Sequence, residues 1–392
     1  MSDPAGVPDL LETPDATEMA PELRIVPSSE TRVSAARWWR IADLTVFGAW
    51  IAVVAFTLRY HEKWADEAQA WLIARDLDLK TIWFHELRYE GSPGLWHTIL
   101  WVAQHVFHAR YDTLGYIGMA GAMAGVALLI FKAPFPRYLR WPLAFTYFVV
   151  YQYAVIARPY TLLPLLAFSA AVLFKDLEHP ERMTVVLVLL ANLSLHGTIL
   201  AGCLGLVYLL DAYRARGTLD ARVRRRYLIC IGAMAAVLVF IVLVVKPTPD
   251  VEEFAAKKIA PQLQALRPTS IRKMTTVISG AFLDWFPPSI TFVLLAGVWC
   301  FTRKRLFVFA LPLLSLTGLY SLVHGYPHHH GTLFIAALTA LWIAWPSPRD
   351  YYGFRSAQKH AMQGMIAALL CLCALNIWDC GNCSTPLISL AL

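Results

Sequence analysis

The chain has 392 residues, of which 58% are hydrophobic and only 16% charged, with a mean hydropathy of +0.51; these values lie outside the range of ordinary soluble domains. The formal net charge is +7, but the basic residues fall in short connectors and build no single basic face with interleaved aromatics, which argues against nucleic-acid binding. The apolar residues come in many blocks, each near the ~20 residues a helix needs to cross a hydrocarbon core. Helices are required there because an open sheet leaves its edges unsatisfied, so the expectation is an all-α polytopic membrane protein.

Residues 1–37 hold Asp3, Asp9, Glu12, Asp15, Glu18 and Glu22 and read as a disordered cytoplasmic tail. No cleavable signal peptide precedes the first apolar block near Ile41. Arg37 and Arg40 ahead of the first span, 41–59, put the N-terminus inside and Tyr60 outside by the positive-inside rule. A first outer loop with interfacial helices then covers 60–112. In it Asp66-Glu67-Ala68-Gln69-Ala70-Trp71 opens an amphipathic helix with an apolar stripe of Ala70, Trp71, Ile73, Ala74 and Leu77. Two readings fit the acidic pair: first-turn carboxylates complementing the helix dipole, or a catalytic carboxylate held at the membrane surface. Glu90-Gly91-Ser92-Pro93-Gly94 reads as a turn into the block 93–108, which carries Trp96, His97, Trp101, Gln104 and His105 and is expected to lie along the outer interface.

Further spans are expected at 113–131, 142–156, 160–174, 183–196, 197–213, 227–245, 288–302, 305–323, 331–345 and 361–378. With about eleven spans in all, every basic connector, from Lys132/Arg137/Arg140 to Arg349/Arg355/Lys359, lands on the inside. Together these make one transmembrane domain, 38–379, with a large outer loop at 246–287 and a short outer tail at 380–392. Cys380 and Cys383 in that tail form a lone C-x-x-C, half of a zinc site at most, or a local disulfide.

This topology gathers the costly polar residues on one side: Asp66, Glu67 and Glu90, Arg158 in the tight Ala157-Arg158-Pro159-Tyr160 turn, His196 between spans, and His324 with His328, His329 and His330. Lys257, Lys258 and Arg267 join them from the large outer loop. Ionisable groups at membrane depth are functional hypotheses by default. A guanidinium held beside a proline and flanked by Tyr151, Tyr153 and Tyr160 suits a lipid-linked phosphate; the plainer alternative is an interface anchor. Neighbouring histidines on an extended segment point to different faces, which disfavours one shared metal.

Three features in order, Asp66-Glu67 in the first outer loop, Glu90-Gly91-Ser92-Pro93-Gly94-Leu95-Trp96 opening an interfacial helix, and Ala157-Arg158-Pro159-Tyr160-Thr161-Leu162 starting a span, resemble the GT-C glycosyltransferases. That polytopic class includes protein O-mannosyltransferases and lipid A aminoarabinose transferase. The resemblance covers roughly residues 40–345 and is densest over 60–175. It implies transfer of a sugar from a polyprenyl phosphate to an acceptor hydroxyl, with inversion, on the non-cytoplasmic face. Carried over, Asp66 is the base and Glu67 orients the helix or the acceptor. Arg158 with Tyr160, His196, His328 and His330 holds the donor phosphate, and Glu90, Trp96, His97, Lys257 and Lys258 serve the donor and acceptor loop. The chain departs from the class in two ways. No soluble outer domain follows the last span, and the second acidic motif of metal-dependent oligosaccharyltransferases is missing, so no metal or cofactor is expected. The acceptor, whether lipid, glycan or protein, stays open. Absence of a signal peptide or retention motif and the compact size favour a bacterial inner membrane with the site facing the periplasm. A carrier or flippase for a lipid-linked saccharide is the alternative; it would not need Asp66, and neither an internal repeat nor mid-span ionisable residues support it.

Overall fold

A computed structural model describes residues 29–389 apart from 91, 247, 250–267 and 323–326. The expectations for the N-terminal tail before residue 29 and for Lys257, Lys258, Arg267 and His324 lie outside the described residues. Among the described residues every element is helical, as the lipid-solvent argument requires. The chain divides into residues 1–42 and residues 43–392. The first unit holds the opening turns of the helix Ser29–Tyr60; apart from that helix, everything below concerns the second.

Five helices among the described residues are long and apolar enough to cross a membrane: Arg37–Tyr60, Tyr111–Lys132, Leu195–Arg214, Ala221–Val245 and Ser356–Trp378. A sixth results if Ile271–Phe282 and Phe286–Thr302, bent by 75°, form one broken span, and Pro159–Leu173 and Leu306–Ser321 are apolar but shorter. Burial adds to the length argument. In Ala221–Val245 only 11% of the apolar window is buried inside the protein, and Leu228, Ile229, Val242 and Leu243 stand exposed on it. Water would not tolerate so large an apolar face, whereas lipid covers it without penalty. Several such helices are what a multi-pass membrane protein needs; a count near eleven would require the short helices to cross as well.

The structure departs from the expected spans in four places. Residues 142–156 form no continuous helix. The helix Arg137–Ala144 contains Pro142, a π turn covers Phe148–Gln152, and a 3₁₀ turn at Pro159–Leu162 leads into the helix Leu163–Leu173. Prolines remove ladder donors, and the Thr146 hydroxyl takes the Leu143 carbonyl at 2.8 Å. Such irregular backbone survives in an apolar chain only when protein surrounds it, and Tyr153, Ala154 and Val155 are fully buried. Second, the break between neighbouring helices falls at 192–194, where the Ser194 Oγ accepts the Gly197 N–H at 3.1 Å. His196 therefore lies in the first turn of the helix Leu195–Arg214 and not between spans. Third, His328 to His330 lie in the first turn of the helix Pro327–Ala344, not on an extended segment. Fourth, the helix Ser356–Ser389 runs through the expected tail boundary at 380, so the backbone of Cys380 and Cys383 is helical.

The polar residues sort to opposite ends of shared helices. In Leu195–Arg214, His196 and Asp211 are roughly 22 Å apart at about 1.5 Å per residue, and Asp211 is ion-paired with Arg305. The last carbonyl of Pro327–Ala344, at Ala344, accepts from Arg303 Nε at 3.3 Å, while the three histidines sit at its start. Arg137 Nε pairs with Asp43 at 3.2 Å and Trp141 Nε1 donates to the same carboxylate at 2.9 Å. The arginines of these connectors thus meet acidic partners at one end of these helices, and the histidines lie at the other. Between them, glycines let backbones close up. A Cβ on Gly118 would lie 3.2 Å from Ala157 Cα, and one on Gly125 only 2.7 Å from the Leu165 nitrogen, so the helix Leu114–Lys132 seats the segment that carries Arg158.

Candidate functional site

The short helix Ala65–Asp76 starts four residues after the first long helix ends. Successive residues on a helix point about 100° apart, and the acidic pair splits accordingly: Glu67 is buried, while the Asp66 side chain is 56% exposed. Glu67 is fully engaged. Its Oε2 accepts the N–H of the N-cap residue Trp64 at 2.8 Å and meets His61 Nε2 at 2.9 Å, and its Oε1 accepts the Ala157 N–H at 2.7 Å. The first of these is the reach-back half of a capping box. Burial alone would raise the Glu67 carboxyl, but the His61 ring and the two backbone donors outweigh it and hold the carboxyl below its usual value. Glu67 is therefore a strut joining the helix Ala65–Asp76 to the Ala157-Arg158 turn, 90 residues on in sequence.

That strut sets Asp66 against Arg158. Arg158 Nη1 lies 3.0 Å from Asp66 Oδ2 and 3.3 Å from His328 Nε2, and its guanidinium sits over the Tyr160 ring at 5.9 Å. Tyr160 continues the chain of contacts: its ring stacks on Tyr153 at 5.8 Å and its hydroxyl meets His196 Nδ1 at 3.1 Å. The Tyr153 hydroxyl in turn donates to the His328 carbonyl at 3.0 Å. His196 packs against His329 with ring centroids 4.5 Å apart and stacks on Tyr320 at 5.3 Å. Four segments distant in sequence thus hold one arginine in place.

Asp66, Arg158, Tyr160, His196 and His329 line a cavity of about 370 Å³, while His328, Tyr153 and Tyr320 stand behind them. Its lining includes Asp66, Glu90, Trp96, His97, Arg158, Tyr160 and His196, so most of the residues singled out in sequence come together. Gln69 Nε2 donates to Glu90 Oε1 at 2.6 Å across 21 residues. Burial raises the Glu90 carboxyl, and the charges of Glu86 and Asp66 add to the rise against the Gln69 hydrogen bond. His97 is 97% buried, since only 3% of its surface is exposed, and burial lowers its pKa to about 4. The N–H of Leu95, two residues earlier, donates to the Asn192 carbonyl at 3.2 Å, which ties the helix Leu95–His105 to the Ser194–His196 segment.

His330 does not belong to this cavity. Its ring lies against Gly280 and lines a second cavity of about 520 Å³ with Thr275, Ser279, Asp284 and Asn376. On the first turn of a helix His328 and His329 face the Arg158 side while the next residue turns away. Residues of the site not singled out individually in sequence are His61, Gln69, Ser194 and Tyr320, and His329 was named in the histidine cluster without a role. Gln69, three residues past Asp66 on one helix face, was the readable signal; the others depend on which helix ends meet. Among the described residues no three His, Cys, Asp or Glu side chains converge as a metal site. An arrangement of this kind can bind an anion at Arg158 and offer an exposed carboxylate beside it. Comparisons with family models, with curated proteins and with solved structures return no match to the chain.

Proposed function

We propose that this protein is a membrane glycosyltransferase of the GT-C type, moving a sugar from a polyprenyl-phosphate donor to an acceptor hydroxyl at the non-cytoplasmic face. The observation that carries the reading is the Asp66–Arg158 pair, 3.0 Å apart on the wall of a cavity of about 370 Å³. The reaction needs a base on one side of the anomeric carbon and a cation for the phosphate on the other. In the resting protein the two groups neutralise one another. A donor phosphate competes for the guanidinium, and the two side chains part so that the sugar lies between them, with the Asp66 carboxylate free to accept a proton. The acceptor O–H then gives its proton to Asp66 and its oxygen bonds the anomeric carbon. The bond to the phosphate oxygen breaks with inversion, and the departing polyprenyl phosphate keeps the electron pair beside Arg158, with His328 at its flank.

Glu67 ties together the two segments that carry base and cation and takes no proton in this scheme. The proposal carries the finer expectations with it: about eleven crossings, a site on the periplasmic face of a bacterial inner membrane, no metal, and a lipid, glycan or protein acceptor. The test is purified protein in detergent incubated with radiolabelled polyprenyl-phosphate mannose, glucose, galactose and arabinose, reading release of polyprenyl phosphate. Conversion of at least one donor supports the enzyme. Binding without conversion, together with movement of intact donor across proteoliposomes, would favour the carrier.

A further inference from the structure

Two neighbouring polar side chains on the helix Leu95–His105 have no protein partner. Both ring nitrogens of His97 and the indole Nε1 of Trp96 are buried without a hydrogen bond, although both residues line the cavity that holds Asp66 and Arg158. Leaving such groups unpaired costs about 1–3 kcal/mol each, a cost that persists in folded proteins where a ligand completes the bonding. An imidazole that stays neutral at pH 7 offers one donor and one acceptor, the pairing a hydroxyl satisfies by accepting one bond and donating the other. The indole adds a donor, and Gln69 and Glu90, already joined to each other, line the same cavity, as does Arg158. The cavity therefore combines an anion-binding group with unused hydrogen-bonding groups, and at about 370 Å³ it lies at the small end of ligand sites, which run to about 1,000 Å³.

We infer that Trp96 and His97 form the part of the cavity that recognises the transferred sugar, with His97 bonded to one of its hydroxyls. This rests on the glycosyltransferase reading and adds a specificity-determining residue to it. A site built to hydrogen-bond a hydroxyl rejects the analogue lacking it far more strongly than an apolar pocket rejects an extra methylene. The sugar hydroxyl contacted by His97 should accordingly dominate donor choice.

The experiment measures equilibrium binding of two probes, bare polyprenyl phosphate and the polyprenyl-phosphate monosaccharide that wild type prefers, to wild type, His97→Ala and His97→Gln in detergent. The expected result is that His97→Ala binds bare polyprenyl phosphate like wild type, which also reports that it is folded. It should lose about tenfold or more in affinity for the sugar-bearing donor, and His97→Gln should recover part of that loss. Equal loss of both probes in a folded variant, or no loss of either, overturns the sugar-recognition inference and leaves the glycosyltransferase reading standing. Failure of wild type to bind any sugar-bearing donor removes both. If neither variant folds, wild type alone decides with the single-position deoxy analogues of its donor: one must bind about a hundredfold or more weaker, and uniform binding of all of them overturns the inference.

Discussion

The two ends of the helix Leu195–Arg214 contain similar chemistry put to different use. At its far end Asp211 is closed by Arg305 and, at 3.6 Å, by Arg214. Nearby connectors are closed in the same way by Arg226–Glu181 and by Arg137–Asp43 with Trp141. At the His196 end, Glu67 is equally closed, but Asp66 is half exposed, His97 is unpartnered and a cavity separates the two. Ion pairs by themselves therefore do not mark a site. What distinguishes the working end is polar capacity left unused around a space large enough for a substrate.

That contrast can be broken most sharply at Asp66. Asp66→Asn should reduce transfer by about 10²–10⁴-fold, the usual worth of a general base, with donor binding kept, as read by single-turnover transfer beside equilibrium binding. Arg158→Ala should weaken binding of bare polyprenyl phosphate by about tenfold to a hundredfold, since it removes a charge-assisted contact of about 1.5–3 kcal/mol. Unchanged affinity would return Arg158 to the role of an interface anchor.

Glu67 sharpens the comparison from the structural side. Glu67→Gln should cost about 2–3 kcal/mol of stability, read as a lowered thermal midpoint in detergent, because an amide cannot accept from all three partners. The pH dependence has a definite sign. The folded carboxyl is held below its usual value of 4.5, so its stabilising contribution is complete above that pH and is lost as pH falls through the lower folded value. Wild type should thus lose more stability than Glu67→Gln on acidification below pH 4.5. The smallest effect belongs to the opposite end: Asp211→Asn should lower stability by about 1 kcal/mol and leave transfer per folded molecule unchanged.

Much of this arrangement was legible before any coordinates. Asp66, Glu90, Arg158 and His196, expected on one face from charge parity along an apolar chain, line one cavity, which the parity argument alone does not require. Asp66 and Glu67, by contrast, could not be separated in sequence. Their different fates follow from an Ala157 N–H contributed 90 residues later. Hydropathy also misread 142–156, since a window average registers apolar residues and not whether Pro142 and Pro159 permit a continuous ladder. The histidine triplet was read as extended although Pro327 stands ahead of it, a helix-start signal, and so the division of His329 and His330 between two cavities was missed.

The most direct test of the central claim is a paired measurement on purified wild type and Asp66→Asn, with the same radiolabelled polyprenyl-phosphate sugar followed for binding and for conversion to polyprenyl phosphate. The account predicts binding by Asp66→Asn at least as tight as by wild type, because the competitor for Arg158 is gone, with conversion by wild type alone. Conversion by Asp66→Asn at the wild-type rate would contradict it.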